Sequence, residues 1–135
     1  MRIAALLVIL SIAFGFVSAR AGDVTAAQGV IRAQEQAFAR DDATTAYSYA
    51  APAIKELFPA PDIFMSMVQN GYAPVYRHKS FEFGESQSDG DWIAQHVRIV
   101  DADGNAWEAL YTLELQPDGS YKITGCSLLK VGQEA

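Results

Sequence analysis

The stretch Phe81–Leu129, FEFGESQSDGDWIAQHVRIVDADGNAWEALYTLELQPDGSYKITGCSLL, decides the fold, because it carries one small turn three times. The turns are Ser88-Asp89-Gly90, Ala102-Asp103-Gly104 and Pro117-Asp118-Gly119, each set between alternating or aromatic-rich runs. Three-residue hairpin loops commonly pair a type I turn with a residue in the left-handed region, where glycine has no steric penalty. Each triplet puts Gly in that slot with Asp before it, and Pro117 presets its own φ. The spacing predicts a four-stranded antiparallel meander.

Three-residue loops also set a register. One face then holds the rows Phe83–Gln95–Tyr111–Gly125, Phe81–Val97–Ala109–Ser127, Ile93–Leu113–Ile123 and Ile99–Trp107–Leu129, with Leu115–Tyr121 at one end, and reads as the core face. The other face sets Glu82 against His96, Arg98 against Glu108 and Glu114 against Lys122. Such cross-strand pairs contribute up to about 1 kcal/mol each, and their agreement with the turns matters more than their energy. Trp92, Ala94, Val100, Leu110, Cys126 and Leu128 share this face, which makes it partly apolar. A homodimer contact through Trp92, Leu110 and Leu128, or cover by the N-terminal segment, would use it. Tyr72 to His78 reads as an irregular edge strand bent at Pro74.

The preceding half is helical. Asp23 or Thr25 can cap a helix whose stripe is Val24, Ala27, Ile31, Gln34 and Phe38, with Arg32, Glu35 and Arg40 pointing away. Asp42 can cap a short second helix bearing Tyr47. Pro52 sits in the first turn of a third, and a fourth begins near Pro61-Asp62 and stops at Asn70-Gly71. Three to four N-terminal helices packed on a curved four-stranded antiparallel meander make an α+β domain with the helices on one face. The plan looks like the cone-shaped, cystatin-like fold of nuclear transport factor 2 and ketosteroid isomerase, a likeness that carries no function by itself.

The chain has 135 residues, half of them hydrophobic, a net charge of −6 and one cysteine. That is one domain, expected over residues 22–135. Met1-Arg2, the apolar run Ile3 to Val17 and Ala19-Arg20-Ala21 read as a cleaved secretory signal over residues 1–21. Cleavage after Ala19 is the close competitor, and a periplasmic or secreted location follows. Losing Arg2 and Arg20 leaves the mature chain more acidic still, which argues against nucleic acid and, after signal cleavage, membrane as partners. Cys126 alone cannot form an internal disulfide.

A family resemblance covers nearly all of the mature chain. Ala46-Tyr47-Ser48-Tyr49-Ala50-Ala51-Pro52-Ala53-Ile54-Lys55-Glu56-Leu57-Phe58, then Phe64-Met65-Ser66-Met67-Val68 and Gly71-Tyr72-Ala73-Pro74-Val75-Tyr76-Arg77, resemble a family of small exported bacterial proteins. That family is known only as domain of unknown function 4864. Ile99-Val100-Asp101, Leu110-Tyr111 and Ile123-Thr124-Gly125-Cys126 fit the same pattern. The resemblance implies a shared fold and export; it implies no activity and no catalytic residues.

The chemistry-bearing residues are few. There is no glycine-rich phosphate loop, no His-x-Glu or Cys-x-x-Cys spacing and no Gly-x-Ser-x-Gly elbow, so no cofactor or metal is expected. The two histidines are too few for a His-rich metal site. Cys126 and His96 fall two strand spacings apart, roughly 10 Å, too far for a nucleophile pair. Asp41 and Asp42 read as turn and cap residues, and Asp101 with Asp103 as a hairpin rather than a calcium loop. One row stands out: Gln95–Tyr111–Gly125 is polar, aromatic and small where its neighbours are apolar, and Gln34 and Tyr47 can point at it from the helices. These five residues form the candidate ligand pocket. The competing reading is that Tyr111 fills the space over Gly125 and bonds to Gln95. The expected function is a non-enzymatic domain that binds a small, largely apolar molecule or acts through dimer or partner contacts. The alternative is an isomerase- or hydratase-like enzyme using Tyr111, Tyr47 and an acid such as Asp41.

Overall fold

The computed structural model describes residues 21–132, so the expected signal segment lies outside the described residues except for Ala21. Five helices come first: α1 (Ala21–Ala39), α2 (Ala43–Ser48), α3 (Pro52–Leu57), α4 (Pro61–Gly71) and α5 (Ala73–Tyr76). They are followed by β1 (His78–Asp89), β2 (Trp92–Asp101), β3 (Ala106–Leu115) and β4 (Tyr121–Lys130), which form one antiparallel sheet in the order β1-β2-β3-β4. The α+β plan and the meander are as expected.

Local chemistry explains the helix boundaries. Asp41 turns the chain out of α1 with φ 55°, and the Asp42 carboxylate accepts the Thr45 N–H at 3.1 Å to cap α2. Proline stands in the first turn of α3, α4 and α5. The last of these corrects the expected edge strand at Tyr72 to His78. Pro74 lacks an N–H that the first helical turn leaves unpaired in any case, so the segment winds into one helical turn. The sheet then starts at His78, with a register shift before Ser80. Glu35 is a second correction: it does not point away but is largely shielded between α1 and β1.

The middle hairpin follows the expected register, with Gln95 opposite Tyr111, Val97 opposite Ala109 and Ile99 opposite Trp107. The Asp101 carboxylate ties the loop by accepting from the Asp103 and Asn105 N–H groups and the Trp107 indole. The outer hairpins differ. Asp89 faces Trp92, so the first loop is Gly90-Asp91, with Gly90 at φ 59°. The shorter loop would turn the β1 aromatics outward, but an irregularity between Phe83 and Ser86 restores the parity. Phe83 therefore faces Val97 rather than Gln95, Phe81 faces Ile99, and Glu82 faces Arg98 rather than His96. His96 pairs instead with Glu108 at 3.2 Å.

In β4, Tyr121, Lys122 and Ile123 keep their expected partners, and the register then slips by one. Tyr111 faces Cys126, Thr112 faces Gly125 and Ala109 faces Leu128. The slip falls where the strand is pinned from outside. Ile123 donates its N–H to Tyr49 O at 2.9 Å and accepts the Ala51 N–H at 2.8 Å, which holds everything up to Ile123 in place. A one-residue slip moves side chains to the opposite face. Cys126 and Leu128 pack toward the core, and Leu129 is 59% exposed. The apolar outer residues are thus Trp92, Leu110 and Leu129, not Leu128.

Candidate ligand cleft

A cleft of about 280 Å³ lies between the helices and the inner face of β3 and β4. The sheet side brings Tyr111, Ile123, Thr124, Gly125 and Cys126, and α1 adds Gln34 and Phe38. From the other side come Ile54, Leu57 and Phe58 at α3, then Phe64, Met67 and Val68 of α4. Leu57 is 73% exposed and marks the mouth. Short helices opened by prolines make this geometry, because each ends before it can cover the sheet end to end.

The structure brings three of the five expected pocket residues together: Gln34, Tyr111 and Gly125 all line the cleft. Gln34 is 4% exposed and donates from Nε2 to Ala46 O at 3.1 Å, leaving its carbonyl oxygen and a second amide hydrogen as what it can offer. Tyr47 does not line the cleft; its hydroxyl donates to Phe58 O at 2.7 Å and its ring packs on Phe64. Gln95 is absent from it too. Fully buried, Gln95 donates from Nε2 to His96 O (2.8 Å), Gly84 O (3.1 Å) and Glu85 O (3.3 Å), and accepts from Gln28 Nε2 at 3.1 Å. It satisfies the carbonyls of the β1 bulge, a structural task that its place in a polar row concealed.

Cys126, assigned to the outer face by the turn spacing, replaces Gly125 as the neighbour of Tyr111. Burial pushes the Cys126 thiol up to about 12, against a smaller lowering by its hydrogen bond with Tyr111. Burial also raises the Tyr111 phenol well above its ordinary value, with further contributions from Cys126 and Glu35. Both groups are neutral at physiological pH, so the thiol is no ready nucleophile. The signal for Cys126 was hidden by the slip in β4; β4 residues before the slip read correctly.

The titratable pairs lie elsewhere. Glu35 bonds to Arg32 at 2.6 Å through one oxygen and to His78 Nε2 at 2.6 Å through the other. His78 Nδ1 lies 2.9 Å from Pro74 O. A carbonyl only accepts, so Nδ1 is the donor there, and the Nε2–Glu35 contact must hold one proton between its two partners. Arg32 also stacks over Phe81 and Phe83. The network ties α1 to α5 and β1, and none of its members lines the cleft. Asp41, the acid weighed for an enzyme, stands on the surface. The Tyr76 hydroxyl and the Arg77 guanidinium bond its carboxylate and hold it below the usual range.

Helices packed on one face of a four-stranded antiparallel meander, with a cleft between the layers, make an α+β domain with an NTF2-like fold. Among solved structures, an NTF-2-like protein of unknown function from Silicibacter pomeroyi is similar at a TM-score of 0.58 and 16% identity, over 81% of this chain and 96% of that one. At that identity the likeness is one of fold. The chain belongs to the family described as Domain of unknown function (DUF4864), whose model matches residues 20–135. The search of curated proteins gave no match.

Proposed function

We propose that this protein is a non-enzymatic binding module for a small, largely apolar molecule, acting outside the cytoplasm. The cleft carries the reading: it is concave, of about 280 Å³, and walled mainly by aliphatic and aromatic side chains with a few convergent polar groups. The placement of the reactive groups supports it. Cys126 keeps its proton, and Asp41 and the Glu35–His78 pair stand outside the lining. Export, read from residues 1–21, belongs to the same proposal.

Native mass spectrometry of the protein taken from its own periplasm tests the reading. The expected spectrum shows a low-mass adduct that denaturation releases. Leu57→Asp, which places a charge at the mouth on a residue already in water, should abolish the adduct while leaving the unfolding midpoint within experimental error. An empty wild-type protein whose Tm is unmoved by host metabolite extract refutes the binding reading. Release of a chemically altered product from an added extract component refutes the non-enzymatic part.

A further inference from the structure

We infer that the occupant of the cleft is an uncharged molecule, an apolar body ending in a single hydroxyl, carbonyl or amide group. The inference rests on the binding reading above and narrows it by chemical class. Among the described residues that line the cleft there is no Asp, Glu, Lys, Arg or His. The polar side chains among them are the Gln34 amide, the Tyr72 and Tyr111 hydroxyls and the Cys126 thiol, all neutral; the Thr124 hydroxyl turns away to Thr112.

Several charged groups on the surrounding elements are engaged elsewhere, and Glu56 and Asp62 are exposed to water. On α1, Glu35 is held by Arg32 and His78. Lys55 of α3 lies over the Tyr47 ring at 5.1 Å, and Lys122 of β4 donates to Ser48 O at 2.8 Å. Arg77, beyond α5, donates to Phe38 O at 2.7 Å and to Asp41. An ammonium or carboxylate drawn into the cleft would lose water and find no counter-charge, and such desolvation is not recovered without a partner.

The lining is also polarised. Gln34, Tyr111 and Cys126 come from α1 and the sheet, whereas α3 and α4 contribute aliphatic and aromatic side chains, with Tyr72 just past α4 the exception. Tyr111 and Cys126 bond to each other, and the Thr124 hydroxyl donates to Thr112 at 2.8 Å. Gln34 and Tyr72 are therefore the polar side chains left to meet a polar end, Gln34 accepting from a hydroxyl through its oxygen or donating its second amide hydrogen to a carbonyl, and the Tyr72 hydroxyl able to do either. The volume lies just below the range of about 300–1,000 Å³ usual for drug-sized ligands, which limits the body to a short chain or one or two small rings.

Three probes of one length separate the classes: octan-1-ol, octanoate and octylammonium. Each is titrated at pH 7 into the full chain as its host processes it, and the NMR shifts of Gln34, Val68 and Cys126 report cleft binding. Octan-1-ol should bind at least about 10-fold more tightly than either ion, a floor set by desolvating one unpaired charge at a site open at one end. A smaller preference overturns the inference and leaves the cleft as a binding site. No shift with any probe also overturns it, and takes the binding reading with it when the native protein carries no adduct.

Discussion

Gln95→Leu separates a structural glutamine from a ligand-binding one. Leucine is close to glutamine in volume, so the change removes polarity without opening a large hole. Gln95 is 0% exposed, and its Nε2 serves the carbonyls of Gly84, Glu85 and His96. Stranding bulge carbonyls costs about 1–3 kcal/mol, and the lost Gln28–Gln95 bond about 0.5–1.5 kcal/mol. Gly84 is half-buried and Glu85 is exposed, so water recovers some of the first amount. The net expectation is a loss of about 2–3 kcal/mol, or roughly 6–12 °C in Tm for a domain of this size. Urea unfolding followed by tryptophan fluorescence measures it, and cleft binding of octan-1-ol should stay within twofold. Gln28→Ala should cost about 1 kcal/mol alone and little more on top of Gln95→Leu, because both remove the same bond. A leucine variant within about 0.5 kcal/mol of wild type, or one that keeps its stability and loses binding, would refute this account of Gln95.

Two further expectations concern β4. A Cβ on Gly125 would sit 3.2 Å from Thr112 Oγ1, the atom that receives the Thr124 hydroxyl, so Gly125→Val should destabilise by about 1–3 kcal/mol. Thr112→Ala should rescue part of that loss in a double-mutant cycle of urea midpoints, and strict additivity would count against the steric explanation. Burial carries the Cys126 thiol from an ordinary 9.0 to about 12, so between those values the unfolded chain has lost a proton that the folded one keeps. Stability should therefore fall as pH rises above about 9, by up to about 1.4 kcal/mol per pH unit from this group. Tyr111 contributes in the same direction from higher pH, and Cys126→Ala isolates the thiol's share by flattening the decline between about pH 9 and 11. Parallel curves for the two proteins would show that the thiol is not shielded.

Most of the fold was legible because its determinants are local. Asp42 as a cap, proline at the head of α3 and α4, and Ala102-Asp103-Gly104 as a three-residue loop each act within four residues, and all stand as read. Alternation in β2 and β3 likewise placed Ile93, Val97, Ala109, Tyr111 and Leu113 inside. The misread parts depend on distant partners. Nothing near Gly84 announces a bulge whose carbonyls are met by Gln95, and nothing near Thr124 announces a slip set by Tyr49 and Ala51. Glu35 looked solvated because its partner His78 arrives 43 residues later. The cleft inherits the same division: Gln34 and Tyr111 follow from periodicity, whereas Cys126 enters only through the slip.

The slip in β4 is also favoured by what it moves. In the unslipped register, Gly125, Ser127 and Leu129 would face inward, against Tyr111, Ala109 and Trp107. Ser127 would then bring a hydroxyl to Ala109, which is fully buried, and an unpartnered hydroxyl there costs about 1–3 kcal/mol. Tyr111 would stand against bare glycine, with its own hydroxyl deprived of the thiol. The slipped register exchanges one leucine for another, sends Ser127 to water and sets Cys126 against Tyr111. Its cost is a disturbed ladder step, about 0.5–1.5 kcal/mol for one bond, reduced by the Thr124–Thr112 contact. The balance favours the slip, and a consequence for the cleft follows. Tyr111 is satisfied from within the protein and stays neutral, so the polar end of an occupant is left to Gln34 and Tyr72, side chains that can hydrogen-bond but cannot neutralise a charge.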